Sequence, residues 1–230
     1  MEGSELKVGV IIQARMGSSR LPGKVLRTIH SKTLLEHVLF RLEHLINPAT
    51  IVVATTELDK DDAVEALCAK GNVECFRGSE ENVLQRYYLC ARHYDFSHII
   101  RLTADNPFTD IRELDRLIDF HLTNGNDFSH SFASLPIGMG AEIFTFQALE
   151  DSYQNGHEAH HIEHVDEYML ENPERFKTGE LTVTGDKNNP DVRLTIDTED
   201  DYKQACYIVE NASNDFVSTE EAVRLCMQFA

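Results

Sequence analysis

Apolar residues along this chain follow two rhythms. Val8-Gly9-Val10-Ile11-Ile12-Gln13 and Ile51-Val52-Val53-Ala54 are short, nearly unbroken runs rich in β-branched side chains, the pattern of strands covered on both faces. Between them, residues 33–45 place Leu35, Val38, Leu39, Leu42 and Leu45 on one helical stripe, opened by the capping-box pattern Thr33-x-x-Glu36. The alternation continues with a helix over 61–69, a short strand over 73–76, a helix over 81–93, a strand over 98–103 and a helix over 111–122. Strands that alternate with helices imply right-handed crossovers and a mainly parallel sheet, which is an α/β fold.

The second half is less regular. Strands are expected over 127–132 and 142–146, around a turn carrying Pro136, Gly138 and Gly140, and helices over 147–155 and 159–171. Two further strands, 181–184 and 192–196, flank the polar loop 185–190. Helices over 199–210 and 219–228 close the chain, the second opened by Ser218-x-x-Glu221. No repeat, low-complexity tract or linker interrupts the sequence, so one domain over 1–230 is expected.

Composition narrows the class. A chain of 230 residues with 42% hydrophobic content can bury a core without staples. No apolar stretch approaches the ~18–20 residues that cross a bilayer, and Met1-Glu2-Gly3-Ser4-Glu5 lacks the features of a leader. Five scattered cysteines without a CxxC pair read as reduced thiols, so a cytoplasmic protein is expected. A formal net charge of −18, from 21 basic and 39 acidic side chains, argues against nucleic acid and membrane surfaces as partners.

Against this acidity, one segment is basic. Arg15, Arg20, Lys24 and Arg27 fall within thirteen residues, and no acid occurs between Lys7 and Glu36. The segment Gln13-Ala14-Arg15-Met16-Gly17-Ser18-Ser19-Arg20-Leu21-Pro22-Gly23-Lys24 follows the first strand directly, where open α/β sheets bind ligands. Gly17 and Gly23 allow close approach of backbone to phosphate, Ser18 and Ser19 add donors, and Arg15, Arg20 and Lys24 suit a triphosphate. Neither familiar phosphate loop fits. Five residues rather than four separate Gly17 from Gly23, Val25 follows Lys24, and no GxGxxG is present. The plain alternative is an ordinary glycine-bearing strand-to-helix turn.

Asp105 follows the strand 98–103, and Asp197 follows 192–196. On parallel neighbours of the first strand they would share its edge and could hold Mg²⁺; taken singly, Asp105 could belong to a turn and Asp197 to a helix cap. A rival chemistry lies in His157-Glu158-Ala159-His160-His161, which matches HExxH, overlapped by the HxxEH of His160 to His164. On one helix such histidines could bind zinc for a hydrolase. Asn155-Gly156 makes the helix start ragged, and a chain with eleven histidines produces so short a pattern by chance.

The run Ile11-Ile12-Gln13-Ala14-Arg15-Met16-Gly17-Ser18-Ser19-Arg20-Leu21-Pro22-Gly23-Lys24-Val25-Leu26 resembles the signature of the cytidylyltransferase family, in its SpsF-like spore-coat polysaccharide branch. The family is related to the CMP-3-deoxy-octulosonate and CMP-sialic acid synthetases. Val53-Ala54-Thr55-Thr56, Phe76-Arg77-Gly78-Ser79 with Val83-Leu84-x-Arg86-Tyr87, Arg101-Leu102-Thr103-Ala104-Asp105-Asn106-Pro107, Glu163-His164-Val165 and Arg193-Leu194-Thr195-Ile196-Asp197 follow in the family's order. The resemblance implies a GT-A-like nucleotidyltransferase fold, Mg²⁺ as cofactor, and transfer of CMP from CTP to a sugar-like acceptor with release of pyrophosphate, for activated-sugar and surface-polysaccharide synthesis. It assigns nucleotide binding to Gln13, Ala14, Arg15, Gly17, Ser18, Ser19, Arg20, Lys24, Ser79 and Arg101, and metal binding to Asp105 and Asp197. Catalysis would rest on Arg15, Lys24, Asp105 and Asp197, with Glu142 and His164 at the acceptor. The region around 127–185 would serve the acceptor and a homodimer interface. Two departures bear on the acceptor: Gly138-Met139-Gly140-Ala141-Glu142 lacks an acid that relatives often carry there, and Ala104 and Asn106 replace a commoner Gly and Cys. A uridylyl- or guanylyltransferase of the same fold, or a nucleotide-binding relative without turnover, are the remaining alternatives.

Overall fold

A computed structural model describes residues 6–229; Met1–Glu5, read above for leader features, and Ala230 lie outside them. The first strand, β1 (Val8–Gln13), lies in the interior of the sheet. It pairs in parallel with β4 (Thr50–Thr56) on one side and β6 (His98–Thr103) on the other, and β4 pairs in parallel with β5 (Glu74–Gly78). A short antiparallel ribbon, β2 (Thr28–Ile29) with β3 (Lys32–Thr33), stands apart from the sheet. Beyond β6 the direction reverses: β8 (Glu142–Thr145) runs antiparallel to β6 and to β7 (Phe128–His130), and β9 (Thr178–Glu180) closes the edge parallel to β7. The order β5-β4-β1-β6-β8-β7-β9 is therefore a mixed, mostly parallel sheet.

Alternation within β1 decides what covers each face. Val10 and Ile12 pack with Leu35, Val38 and Leu42 of α1 (Leu34–Leu42), Val64 of α2 (Asp62–Gly71) and Leu114, Leu117 and Ile118 of α4 (Ile111–Asn124). Ile11 points the other way, to Leu84 and Tyr87 of α3 (Val83–His93), Leu149 of α5 (Phe146–Asn155) and Met169 of α7 (Glu167–Glu171). This two-layer burial explains why the strands read as unbroken apolar runs. A third apolar cluster joins Leu21, Ile29, Phe108, Leu135 and Ile196 to α8 (Glu199–Asn211) and α9 (Thr219–Cys226). Among the described residues no helix is long and apolar enough to cross a membrane.

Three expectations need correction. Residues 192–196 form no strand: the segment is extended but meets only single partners, Leu194 N donating to Ile137 O at 2.8 Å and Ile196 N to Asp105 O at 2.9 Å. The edge strand falls at Thr178–Glu180 rather than 181–184, because Leu181 and Val183 turn inward to the core. The helix expected over 159–171 is two short ones, α6 (Ala159–Glu163) and α7, with His164 extended between them (φ −116°, ψ 111°) and Val165 buried beneath.

Candidate active site

The carboxyl ends of β1 and β6 open into a cavity of about 550 Å³. On one wall lies the loop after β1. Its path is fixed by internal hydrogen bonds: Ser18 N and Gly23 N both donate to Met16 O (2.9 and 3.0 Å), Leu21 N donates to Ser18 Oγ (3.2 Å), and Gly23 takes a positive φ of 67° that favours glycine. Among the described residues, the amides of Gly17, Ser19 and Arg20 donate to no protein acceptor. A loop with successive free N–H groups is a receptor for anionic oxygens. A Cβ at Gly17 would stand 2.8 Å from Lys60 Nζ and 2.9 Å from Glu80 Oε1, so the ends of those two side chains would have to move aside for it.

Two acids missed in the sequence set this wall. Asp61, wholly buried at the end of the turn Asp59–Asp61, accepts from Met16 N at 2.6 Å and from the Thr56 hydroxyl. Glu80 accepts from Lys60 Nζ at 2.5 Å and faces Arg15 Nη1 at 4.0 Å. Neither carries a motif; their roles come from β4 and β5 delivering the turns beside β1.

Opposite the loop stand Asp105 and Asp197. Lys24 lies between them, its Nζ 2.7 Å from Asp105 Oδ2, 3.0 Å from Asp197 Oδ1 and 2.9 Å from Ile196 O. Arg20 approaches Asp197 Oδ1 at 2.9 Å and Arg193 its Oδ2 at 2.5 Å. Burial works to raise the Asp197 carboxyl, but Lys24, Arg193 and Arg20 together hold it below the ordinary range. Asp105 Oδ1 accepts from the Thr103 hydroxyl at 2.5 Å. Asp197 reaches the site without a strand, because Ile196 N is tied to Asp105 O.

The far wall carries Arg101, Glu163 and His164. Arg101 and Glu142 are directly paired across β6 and β8, and Arg101 Nη1 donates to Glu142 Oε1 at 2.6 Å, with Asp166 Oδ1 at 3.8 Å. Burial and Asp166 raise the Glu142 carboxyl against the pull of Arg101, and the neighbouring acids offset burial to hold the Arg101 guanidinium cationic. Glu142 is fully buried, so it supports Arg101 and does not face an acceptor. Ser79 and Ala14 also stay off the cavity: Ser79 Oγ accepts from Asn82 N at 3.0 Å, and Ala14, 1% exposed, extends the β1 ladder through its bond to Ala54 O. Gln13, Arg15, Gly17, Ser18, Ser19, Arg20, Lys24, Arg101, Asp105, His164 and Asp197 do line it, joined by Val25, Val83, Thr103, Ala104 and Glu163.

The histidine motif does not assemble. His157 precedes α6, outside any helix, so no HExxH face exists. His160 and His161 instead meet the two oxygens of Glu171 at 2.9 and 2.7 Å. Glu158 N donates to His161 Nδ1 at 3.3 Å, so the ring proton lies on Nε2, toward Glu171.

A mostly parallel sheet with a loop of free amides after β1, opposed by two carboxylates, is an arrangement of the nucleotidyltransferase class. The fold matches that of CMP:2-keto-3-deoxy-manno-octonic acid synthetase complexed with CTP, with a TM-score of 0.66 over 89% of this chain and 98% of that one at 18% identity. Residues 9–223 match the family model described as cytidylyltransferase, and the chain belongs to that family. It is 37% identical to the spore coat polysaccharide biosynthesis protein SpsF of Bacillus subtilis, over 94% of this chain and 92% of that protein. A solved cytidylyltransferase from Leptospira borgpetersenii superposes with a TM-score of 0.90 at 34% identity, covering 97% of this chain and 94% of that one.

Proposed function

We propose that this enzyme transfers CMP from CTP to a sugar-type acceptor, releasing pyrophosphate, in the synthesis of an activated sugar for a surface polysaccharide. The observation that carries the reading is the single cavity in which the free amides of the Gly17–Arg20 loop face Asp105 and Asp197. Arg15, Arg20 and the loop amides take the phosphates, and Arg101, Glu163 and His164 border the acceptor. An acceptor oxygen attacks the α-phosphorus in line, its bond to phosphorus forms, and the bond to the β-phosphate oxygen breaks with its electron pair leaving on pyrophosphate. Positioning and charge neutralisation supply the rate. Asp105 and Asp197 fit Mg²⁺, since one ammonium already lies within 3.0 Å of both carboxylates as a stand-in cation. Bound there, the ion would neutralise phosphate charge.

The test is a thermal-shift panel of CTP, UTP, GTP and ATP with Mg²⁺, followed by pyrophosphate release from the stabilising nucleotide with 3-deoxy-manno-octulosonate, N-acetylneuraminate and neutral sugars. Stabilisation by CTP above the others, and release with one acceptor class, support the reading. Preference for another nucleotide refutes the cytidylyl assignment, and stabilisation without release from any acceptor refutes turnover.

A further inference from the structure

Lys24 stands where a free divalent cation would have to bind. Its side chain is 11% exposed, and its ammonium meets three oxygens, from Asp105, Asp197 and Ile196, within 3.0 Å. An ammonium has three N–H donors, so this set satisfies it fully. Arg20 and Arg193 add their charges to Asp197 at 2.9 and 2.5 Å. The carboxylate pair is thus already neutralised by side chains of this chain. A dication arriving alone must expel an ammonium into a cavity that the cations Arg15 and Arg20 also line.

A triphosphate changes the balance. It offers Lys24 another anionic partner in the same cavity, and it brings a metal further oxygen ligands, which Mg²⁺-like ions take alongside one or two carboxylates. We propose that Lys24 is a resident counter-ion that keeps the Asp105–Asp197 pair closed to free divalent metal and yields it when a nucleoside triphosphate draws the ammonium onto its phosphates. The inference rests on the nucleotide reading of the cavity and adds an order to it: metal enters with the nucleotide or after it. Lys24 then has two successive partners, first the carboxylates and then the phosphates.

The probe is Mn²⁺, followed on the full-length protein by the electron-paramagnetic-resonance signal of the free ion. Without nucleotide, Lys24→Met and Lys24→Gln should each bind Mn²⁺ roughly tenfold or more tighter than wild type, because a unit positive charge has left the ligand pair. Lys24→Arg, which keeps the charge, should bind as weakly as wild type. The α,β-methylene analogue of CTP should tighten Mn²⁺ binding strongly in wild type and far less in Lys24→Met. Unchanged or weaker Mn²⁺ binding in folded Lys24→Met and Lys24→Gln, checked by circular dichroism, overturns the proposal, as does tight nucleotide-free binding by wild type. The nucleotide-free comparison does not depend on which base or acceptor the enzyme takes. A failed pyrophosphate assay with this comparison intact would therefore remove the cytidylyl reading and leave the role of Lys24 standing.

Discussion

Asp61 has no exposed surface and, among the described residues, no cation bonded to it, yet it holds the loop that lines the cavity. Its carboxylate takes the Met16 amide and the Thr56 hydroxyl, so Asp61→Ala strands two buried donors, at a cost of about 1–3 kcal/mol. Asp61→Asn keeps an acceptor for Met16 and offers its amide to the threonine oxygen. Asp61→Ala should lower the unfolding free energy in urea and raise KM for CTP severalfold, whereas Asp61→Asn should stay close to wild type in both. A second residue-scale prediction concerns His121, buried between His98 and Ser129. Burial, reinforced by His98, pushes its pKa down from 6.5 to about 3. The folded protein therefore holds the ring neutral while the unfolded chain protonates it. Its contribution is complete above pH 6.5 and is lost as pH falls towards 3, by at most about 1.4 kcal/mol per unit. His121→Gln should cost stability at pH 7 but flatten the decline in melting temperature between pH 7 and 5; an unchanged slope would show that His121 does not set it.

At the scale of elements, what could be read from the sequence follows how local each determinant is. Strands β1 and β4 are legible because burial on both faces imprints a nearly unbroken apolar run, and α1 because Thr33 and Glu36 form the capping box their spacing announces. The glycine-rich loop is legible for the same reason: its cations, serines and glycines are contiguous. Residues brought together across the fold were not. The break between α6 and α7 has no glycine or proline to mark it; it follows from Glu171 bonding His160 and His161 and from burial of Val165. The family resemblance puts Glu142 at the acceptor, but pairing in register with Arg101 accounts for its burial. The break places His164 on the cavity wall, so its effect should be on the acceptor alone. His164→Ala should lower kcat/KM for the acceptor about tenfold or more while leaving the thermal shift given by CTP unchanged; loss of that shift would assign the residue to the nucleotide instead.

Across the whole molecule, the C-terminal third is bound to the N-terminal half by buried polar ties. Arg41 of α1, 4% exposed, donates to Thr109 O at 2.6 Å, just before α4, and to Val217 O at 2.9 Å, just before α9. Burial, against the pull of Asp110, brings its pKa down to about 10, so it stays charged at neutral pH. Arg41→Met leaves both carbonyls without that donor and should destabilise the protein by about 3 kcal/mol in urea unfolding. Asp197 precedes α8 in this same third, and Mn²⁺ binding in the presence of nucleotide should weaken in Arg41→Met under conditions where the variant remains folded.

The reversal of strand direction at β8 has a consequence for how such enzymes diversify. The glycine-bearing loop hangs from the parallel strand β1, while Glu142 lies in β8 and Glu163, His164 and Asp166 follow it in the chain. The loop and the residues around His164 thus lie on opposite sides of a single seam between β6 and β8. A library of substitutions confined to the seam's antiparallel side, spanning 127–185, should yield variants with new acceptors and an unaltered choice of nucleotide, an inheritance pattern by which one triphosphate cradle could be passed among many surface glycans.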